Sequence, residues 1–288
     1  MVVRLLATAR TPPILKPMPR TAADSADPHS LAPVELIAGE VRVGAFSPHR
    51  HETYTIAATT SGVQSFNYRG DRRRSLPGQL LVLHPDELHD GYCSDSAGFS
   101  YRAIYLPPAQ VQSVIGGVPL PFLANGVSSD PDLVGSALRL MAACAATPDA
   151  FAYQDALHGL VSALQRCAGA APARRTANRA AVTKVREYLD TVPGPGTSLD
   201  QLEALAGTDR WSLTRDFRAL LGTSPYRYLV YRRLGRAKAL LRQGQSLAAA
   251  AHDAGFSDQS HFCRVFKAAF GLTPRAWHRA ERRRTIIL

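Results

Sequence analysis

The carboxyl-terminal part of the chain contains an internal repeat, which narrows the choice of fold sharply. In each copy a helix ends near a glycine, a short turn follows, and a second helix begins at a polar residue and closes at another glycine. The copies are offset by 48 residues before the turn and by 49 after it. This pattern predicts two helix-turn-helix units in an all-α domain. The repeated positions are Ser198-Leu199, Gly207, Leu213, Phe217, Gly222 and Pro225, then Ser246-Leu247, Gly255, Phe262, Phe266, Gly271 and Pro274.

A long helix is predicted between the copies. Ser224-Pro225 is a typical helix start, and Gly244 is a typical end. An apolar stripe with helical spacing runs along the segment, so we expect this helix to pack against both units and fix their separation. The stripe consists of Leu229, Val230, Leu234, Ala237 and Leu241.

Positive charge is concentrated in the same half of the chain. The 288 residues carry 34 Lys+Arg and 23 Asp+Glu, a formal net charge of +11. Residues 180–288 hold 18 Lys+Arg against 9 Asp+Glu, whereas residues 1–167 hold 13 against 14. Clustered cations are what phosphate binding with counterion release requires, so only the second half is expected to bind a polyanion.

The second helix of each copy has an apolar face and a polar face. The apolar positions are Leu213, Phe217, Leu220 and Leu221 in the first copy and Phe262, Val265, Phe266 and Ala269 in the second. The polar faces offer groups that read a major groove, such as Arg for guanine and Gln for adenine. Two residues of these helices have a second interpretation besides DNA contact: Trp211 as a cover for the turn, and His261 as a residue at the rim of the core. The predicted DNA contacts are Arg210, Trp211, Thr214, Arg215, Arg218, Gln259, Ser260, His261, Cys263, Arg264 and Lys267.

The first half has a different pattern. Short strand-like runs separated by turns between about residues 34 and 106 predict a small antiparallel barrel or sandwich. Two amphipathic helices are expected at 130–145 and 148–167, and Arg72-Arg-Arg74 is interpreted as a solvated hairpin tip. The predicted domains are a disordered extension (1–33), a barrel domain (34–167), a linker (168–179) and a helical domain (180–288). The fold class is therefore multi-domain α+β.

Two further sequence features limit the environment of the chain. The longest uncharged run contains four prolines, so no membrane span is predicted and a cytoplasmic location is expected. The four cysteines are scattered, without a CxxC pair, which favours reduced thiols over disulfides or a zinc ribbon.

The motifs of the helical half resemble those of AraC/XylS-type transcription regulators. The resemblance rests on Gly255-Phe-Ser-Asp-Gln-Ser-His-Phe-Cys-Arg-Val-Phe266, followed by Phe270-Gly-Leu-Thr-Pro274, and covers about residues 180 to 280. It implies a seven-helix domain with two recognition helices in successive major grooves. Three positions depart from the pattern: Glu203 replaces a small residue, Ala250 replaces a larger apolar residue, and Gly235 interrupts the linking helix.

The first half resembles the cupin-like sensor barrel that precedes this module in many such regulators. The segments that carry the resemblance are Pro48-His-Arg-His-Glu-Thr-Tyr54, Leu76 to Pro85, Glu87-Leu-His-Asp-Gly91 and Phe99 to Leu106. One interpretation is an effector pocket lined by His49, His51, Tyr54, His89 and Tyr101. A second is a divalent metal site made by His49, His51, Glu87 and His89. A third is a set of structural polar residues at the barrel mouth, and no resident cofactor is assigned.

Together these expectations predict a transcription regulator that is not an enzyme. Its predicted partners are double-stranded promoter DNA, RNA polymerase, a small-molecule effector bound in the barrel, and a second copy that pairs through the helices at 130–167. The ligand can act only by binding two states with different affinity. The alternative is a cupin-like metal-dependent enzyme fused to a DNA-binding module. The effector, the operator and the sign of regulation are left open.

Overall fold

A computed structural model describes residues 6–7, 34–41, 45–93, 98–145, 149–168, 176–191 and 197–285. Contacts divide the chain into two compact units, and the second consists of Pro48–Glu52 together with the residues from Thr176 onward. Within the predicted extension the structure describes Leu6–Ala7, a short strand. The rest of residues 1–33 lies outside the described residues.

The first unit is a sandwich of two β-sheets, as the predicted cupin-like fold requires. The six-stranded sheet has the order β1-β2-β9-β4-β7-β10, and the four-stranded sheet has the order β3-β8-β5-β6. All pairings given for the larger sheet are antiparallel except that of β1 with β2. The strands are Leu6–Ala7 (β1), Glu35–Val41 (β2), Ala45–His49 (β3), Tyr54–Gly62 (β4), Gln64–Tyr68 (β5), Asp71–Ser75 (β6), Leu80–Leu83 (β7), His89–Cys93 (β8), Phe99–Leu106 (β9) and Val127–Ser128 (β10).

The arginine-rich segment is a strand rather than a hairpin tip. Arg72 to Arg74 lie within β6, which pairs with β5 at the edge of the smaller sheet. The tip is one step earlier, where Arg69 (φ 54°) and Gly70 (φ 87°) both have positive φ, as a tight two-residue hairpin requires.

The first unit also contains three helices. They are Pro108–Ile115 (α1), Pro131–Ala145 (α2) and Ala150–Ala168 (α3). The apolar faces of α2 and α3 join one outer face of the larger sheet in a single core cluster, which includes Tyr54, Ile56, Leu140 and Leu160. The two helices predicted from the 3,4 spacing are therefore present, whereas α1 was not foreseen because it spans only two turns.

From Thr176 onward the described residues of the second unit form helices and no strand. Its helices are Arg179–Thr191 (α4), Leu199–Ala206 (α5), Arg210–Leu221 (α6), Pro225–Arg242 (α7), Leu247–Asp253 (α8), Gln259–Phe270 (α9) and Pro274–Thr285 (α10). The pairs α5–α6 and α8–α9 are the two predicted helix-turn-helix units. Ser198 caps α5 and Ser246 caps α8, each accepting a hydrogen bond from a backbone N–H three residues later.

Two apolar clusters hold this unit together, and α7 contributes to both. Leu229 belongs to the cluster that contains the first helix-turn-helix, and Leu234, Ala237 and Leu241 belong to the cluster around the second. The prediction that this helix packs against both helix-turn-helix units is therefore confirmed. Within the described ranges of both units, no helix has the length and apolar character needed to cross a membrane.

Candidate functional site

The first recognition helix, α6, has a well-defined start and a buried face. Asp209 accepts hydrogen bonds from the backbone N–H groups of Trp211 and Ser212, both at 3.0 Å, which satisfies two donors at the helix start. A hydrogen bond from the Ser212 hydroxyl, followed by the backbone N–H groups of Ser212 and Trp211, lowers the pKa of the Asp209 carboxyl. Gly222, with φ 72°, closes the helix. The four positions predicted to be apolar and inward are all buried.

The second recognition helix, α9, is built in the same way. Asp258 accepts a 2.7 Å hydrogen bond from the backbone N–H of His261, and this bond lowers the pKa of the Asp258 carboxyl. Gly271, with φ 72°, ends the helix. Of the predicted inward residues, Phe262, Phe266 and Ala269 are buried and Val265 is half-buried.

The predicted DNA contacts differ in exposure. Eight of them are exposed, namely Arg210, Trp211, Arg215, Arg218, Gln259, Ser260, Arg264 and Lys267. Thr214, His261 and Cys263 are half-buried. Nδ1 of His261 lies 3.1 Å from the Ser257 hydroxyl, and its ring meets Phe256 edge-on at 5.7 Å. These contacts favour the interpretation of His261 as a residue at the rim of the core.

Arg210 is held by carboxylates of the preceding helix. Its Nε and Nη2 donate to the two carboxylate oxygens of Glu203 at 3.2 and 2.9 Å, and Nη2 also donates to Asp200 at 3.0 Å. The backbone N–H of Arg210 donates to Glu203 at 2.6 Å. Hydrogen bonds from Arg210 lower the pKa of Glu203, and Glu203 raises the pKa of Arg210. In the sequence Glu203 stands out only as a departure from the family pattern. Its place seven residues before an arginine, on the other side of a turn between two helices, is the signal that could have predicted this ion pair.

In the first unit, strand register decides which predicted ligand-binding residues face the interior. Tyr101 pairs with Gly39 on β2, and a side chain at Gly39 would collide with the Tyr101 ring, since a Cβ would lie 2.9 Å from it. Tyr101 is buried in the cluster between the sheets, and burial raises its pKa to about 12. His89 pairs with Tyr68, a member of the same cluster, so both side chains are on the interior face of the smaller sheet. His89 is buried as well.

Tyr54 does not belong to this interior group. It lies on the opposite face of the larger sheet, in the cluster shared with α2 and α3, and has no exposed surface. Its hydroxyl donates a 2.8 Å hydrogen bond to the carbonyl of Pro121. Burial raises the pKa of Tyr54 well above its usual value. The prediction that Tyr54 lines the same pocket as Tyr101 is therefore wrong, because the two side chains point to opposite faces of one sheet.

The three predicted histidines differ in burial and in the unit to which they belong. His89 begins β8 and is buried, whereas His49 and His51 are half-buried and lie in the segment Pro48–Glu52, which is grouped with the second unit. Nδ1 of His89 is 2.9 Å from the carbonyl oxygen of Glu87, a contact that orients the ring. An imidazole suits a divalent transition metal and equally suits a polar group of a small molecule.

The carboxylate of Glu87 is directed to Arg69 rather than to His89. Its carboxylate accepts a 3.0 Å hydrogen bond from Arg69 in an ion pair, and only its backbone carbonyl is directed to His89. The fourth ligand of the predicted metal site was therefore wrong. The reason is that Arg69, at the hairpin tip, provides a charge partner that the spacing of Glu87 and His89 does not reveal.

Comparison with known families agrees with both units. A model described as "AraC-like ligand binding domain" matches residues 31–161, and one described as "Helix-turn-helix domain" matches residues 202–280. Probable transcription factor PqrA of Proteus vulgaris is 35% identical over 96 residues, which are 32% of this chain and 79% of PqrA. The chain belongs to the AraC family of transcriptional regulators.

Other known proteins are similar over more of the chain. The uncharacterized HTH-type transcriptional regulator YbfI of Bacillus subtilis is 27% identical over 222 residues, covering 75% of this chain and 81% of YbfI. The 1.65 Å structure of ToxT from Vibrio cholerae superposes with a TM-score of 0.62 at 11% identity, covering 86% of this chain and 98% of ToxT. A structure of ToxT with a bound unsaturated fatty acid has a TM-score of 0.60 at 12% identity, covering 85% and 94%. At such identity the likeness to ToxT concerns the fold alone.

Proposed function

We propose that this AraC-family protein reads a DNA sequence with α6 and α9, under the control of a small molecule bound in the barrel. The observation that carries the DNA part is the match between the two recognition helices. Arg215 and Arg218 in α6 recur as Arg264 and Lys267 in α9, each 49 residues later, and all four are exposed. Two helices that present cations at equivalent positions suit two successive segments of one duplex.

The barrel part rests on His89 and Tyr101, two buried polar side chains that face the interior between the two sheets. Polar groups at the edge of an apolar interior are typical of small-molecule sites, in which few polar atoms fix the orientation of the ligand. Binding there would change DNA affinity only if the ligand prefers one state of the protein.

The proposed function also includes two further partners, RNA polymerase and a second copy of the chain. A regulator that occupies a promoter acts by recruiting or blocking RNA polymerase. Pairing with a second copy is supported by exposed apolar side chains on the helices of the first unit, since Phe151 on α3 is 90% exposed and Leu138 on α2 is 41% exposed. The metalloenzyme alternative has no support among the relatives, which are named as transcription regulators.

The test is DNA binding by the full chain. The protein should select a preferred duplex from a random library, and Arg215→Ala and Arg264→Ala should each weaken binding to that duplex by about 1 to 3 kcal/mol and relax base preference. Arg74→Ala, which removes an exposed arginine of β6, is the control for the loss of one charge. Absence of any selected sequence, or equal effects of all three substitutions, would contradict the assignment of α6 and α9.

A further inference from the structure

The structure assigns to Glu203 a role that rests on the proposed function: it holds Arg210 against α5 and keeps this arginine from binding DNA phosphates. Arg210 is the first residue of α6, where a free guanidinium would lie beside the predicted DNA surface. A cation in that place would add affinity for any sequence, because a phosphate contact carries no base information.

The contacts show how the arginine is held. Glu203 engages two guanidinium nitrogens of Arg210 with both carboxylate oxygens, the bidentate geometry that makes such pairs strong and specific. Asp200 accepts a third hydrogen bond from Nη2. Nη1 takes part in none of these three bonds. Glu203 is the more enclosed partner, with 24% of its side chain exposed against 45% for Arg210.

Glu203 also completes the cap of the recognition helix. Asp209 accepts from the second and third backbone N–H groups of α6, and Glu203 accepts from the first, that of Arg210. Three donors at the helix start are thus satisfied by two carboxylates. The side chain and the backbone of Arg210 are therefore bound to the same residue, which fixes the direction of the guanidinium relative to α5.

The second helix-turn-helix provides an internal comparison. With the offsets of 48 and 49 residues, Glu203 corresponds to Ala251 and Arg210 corresponds to Gln259. Ala251 is buried in the core around α9, and Gln259 is exposed at the first position of that helix. The copy without the carboxylate also has no cation to restrain, whereas the copy with the cation has the carboxylate. This correlation is expected if Glu203 is present to neutralise Arg210.

Arg215, on the same helix, differs from Arg210 in the charge of its hydrogen-bond partner. Arg215 donates to the hydroxyl of Ser212 at 2.9 Å, a neutral partner that leaves its charge available. We therefore expect Arg215→Ala to weaken DNA binding strongly, whereas Arg210→Ala should change it by less than about 2-fold, since a neutralised cation releases few counterions on binding.

The experiment is a double-mutant cycle read by salt dependence. Affinity of the full chain for a random-sequence duplex is measured between about 0.05 and 0.4 M KCl for the wild type, Glu203→Gln, Arg210→Ala and the double variant. Gln is chosen because its side-chain oxygen can still accept the backbone N–H of Arg210, so the helix cap is kept. Thermal unfolding of each variant checks that the fold is retained.

If Glu203 withholds Arg210, Glu203→Gln should tighten binding to the random duplex by about 5-fold at 0.15 M salt and steepen the slope of log K against log salt by about 0.9, the contribution of one phosphate contact. Both changes should disappear in the Arg210→Ala background. A gain of equal size in that background would show general electrostatics and overturn the inference, as would an unchanged slope. Failure of the wild type to bind DNA would instead refute the proposed function.

Discussion

His84 should make the stability of the first unit fall as the pH is lowered. It follows β7 and is buried between Tyr54, 4.8 Å away edge-on, and Phe122 at 4.4 Å. Its Nε2 is buried and makes no hydrogen bond to the residues that the structure describes. Burial, with a smaller contribution from the nearby Arg69 charge, lowers the pKa of His84 to about 3.

The sign and the magnitude follow from linkage between protonation and folding. The unfolded chain takes up a proton on this side chain below a pKa of about 6.5, whereas the folded unit resists it until about pH 3. The stabilising contribution of neutral His84 is therefore fully present above pH 6.5 and is lost as the pH falls from 6.5 towards 3. Between pH 8 and pH 5 the loss is about 2 kcal/mol, because about 1.5 pKa units at 1.36 kcal/mol per unit separate the two states.

The assay is urea unfolding at several pH values, followed by a signal from the first unit. His84→Phe keeps a ring between Tyr54 and Phe122 but cannot titrate, so the difference in unfolding free energy between wild type and variant should move by about 2 kcal/mol from pH 8 to pH 5. His158→Phe, at an exposed position of α3, is the matched control and should leave the pH dependence as it is in the wild type. An unchanged pH dependence in His84→Phe would refute the argument.

Two further pairs of substitutions test the local geometry. Asp209→Ala and Asp258→Ala should each cost about 1 kcal/mol of second-unit stability through loss of a helix cap and should weaken DNA binding, as urea unfolding and duplex titration would show; no change in either would count against the cap. Gly62→Ala should destabilise the first unit more than Gly70→Ala: both glycines have positive φ, but a Cβ at Gly62 would lie 2.0 Å from a backbone oxygen and one at Gly70 meets nothing within 4 Å. Equal unfolding midpoints for these two variants would contradict the contact.

The features that the sequence predicted correctly are those whose physical cause is local. A helix cap needs a side-chain oxygen within three residues of the donors, as at Asp209 and Asp258, and a buried helix face needs apolar residues at a spacing of three and four. Both signals are complete within one short segment. The internal repeat then doubled each signal, and so the two helix-turn-helix units could be placed residue by residue.

The sandwich was harder to predict because its central strand is buried on both faces. Tyr54 to Thr59 on β4 are all buried, with one face against α2 and α3 and the other towards the smaller sheet. Alternation of polar and apolar residues, the usual guide to the direction of a side chain, is therefore lost. The sequence could pair Tyr54 with Tyr101 as aromatic residues near the histidines, but it could not show that they face opposite sides.

An edge strand can also be missed in the sequence, because its composition is polar rather than uniformly apolar. Strand β6 has three arginines in five residues, a composition that resembles a solvated loop. At the end of the order β3-β8-β5-β6, however, its outer edge has no neighbouring strand within the smaller sheet. Charged side chains on such an edge discourage pairing with another chain, so the residues that weaken the strand signal are the ones that an edge strand uses.

Residue type alone also overcounts the charges that a DNA-binding helix can use. By composition α6 offers three outward arginines and α9 offers one arginine and one lysine. Once Arg210 is paired with Glu203, each helix has two cations outside such a pair, and these stand at equivalent positions: Arg215 with Arg264, and Arg218 with Lys267. Equal charge at equal positions gives the two helices similar electrostatic attraction for the phosphates. Different sequence preferences of the two helices are then expected from the other positions where the copies differ, as where Trp211 and Thr214 in the first stand opposite Ser260 and Cys263 in the second.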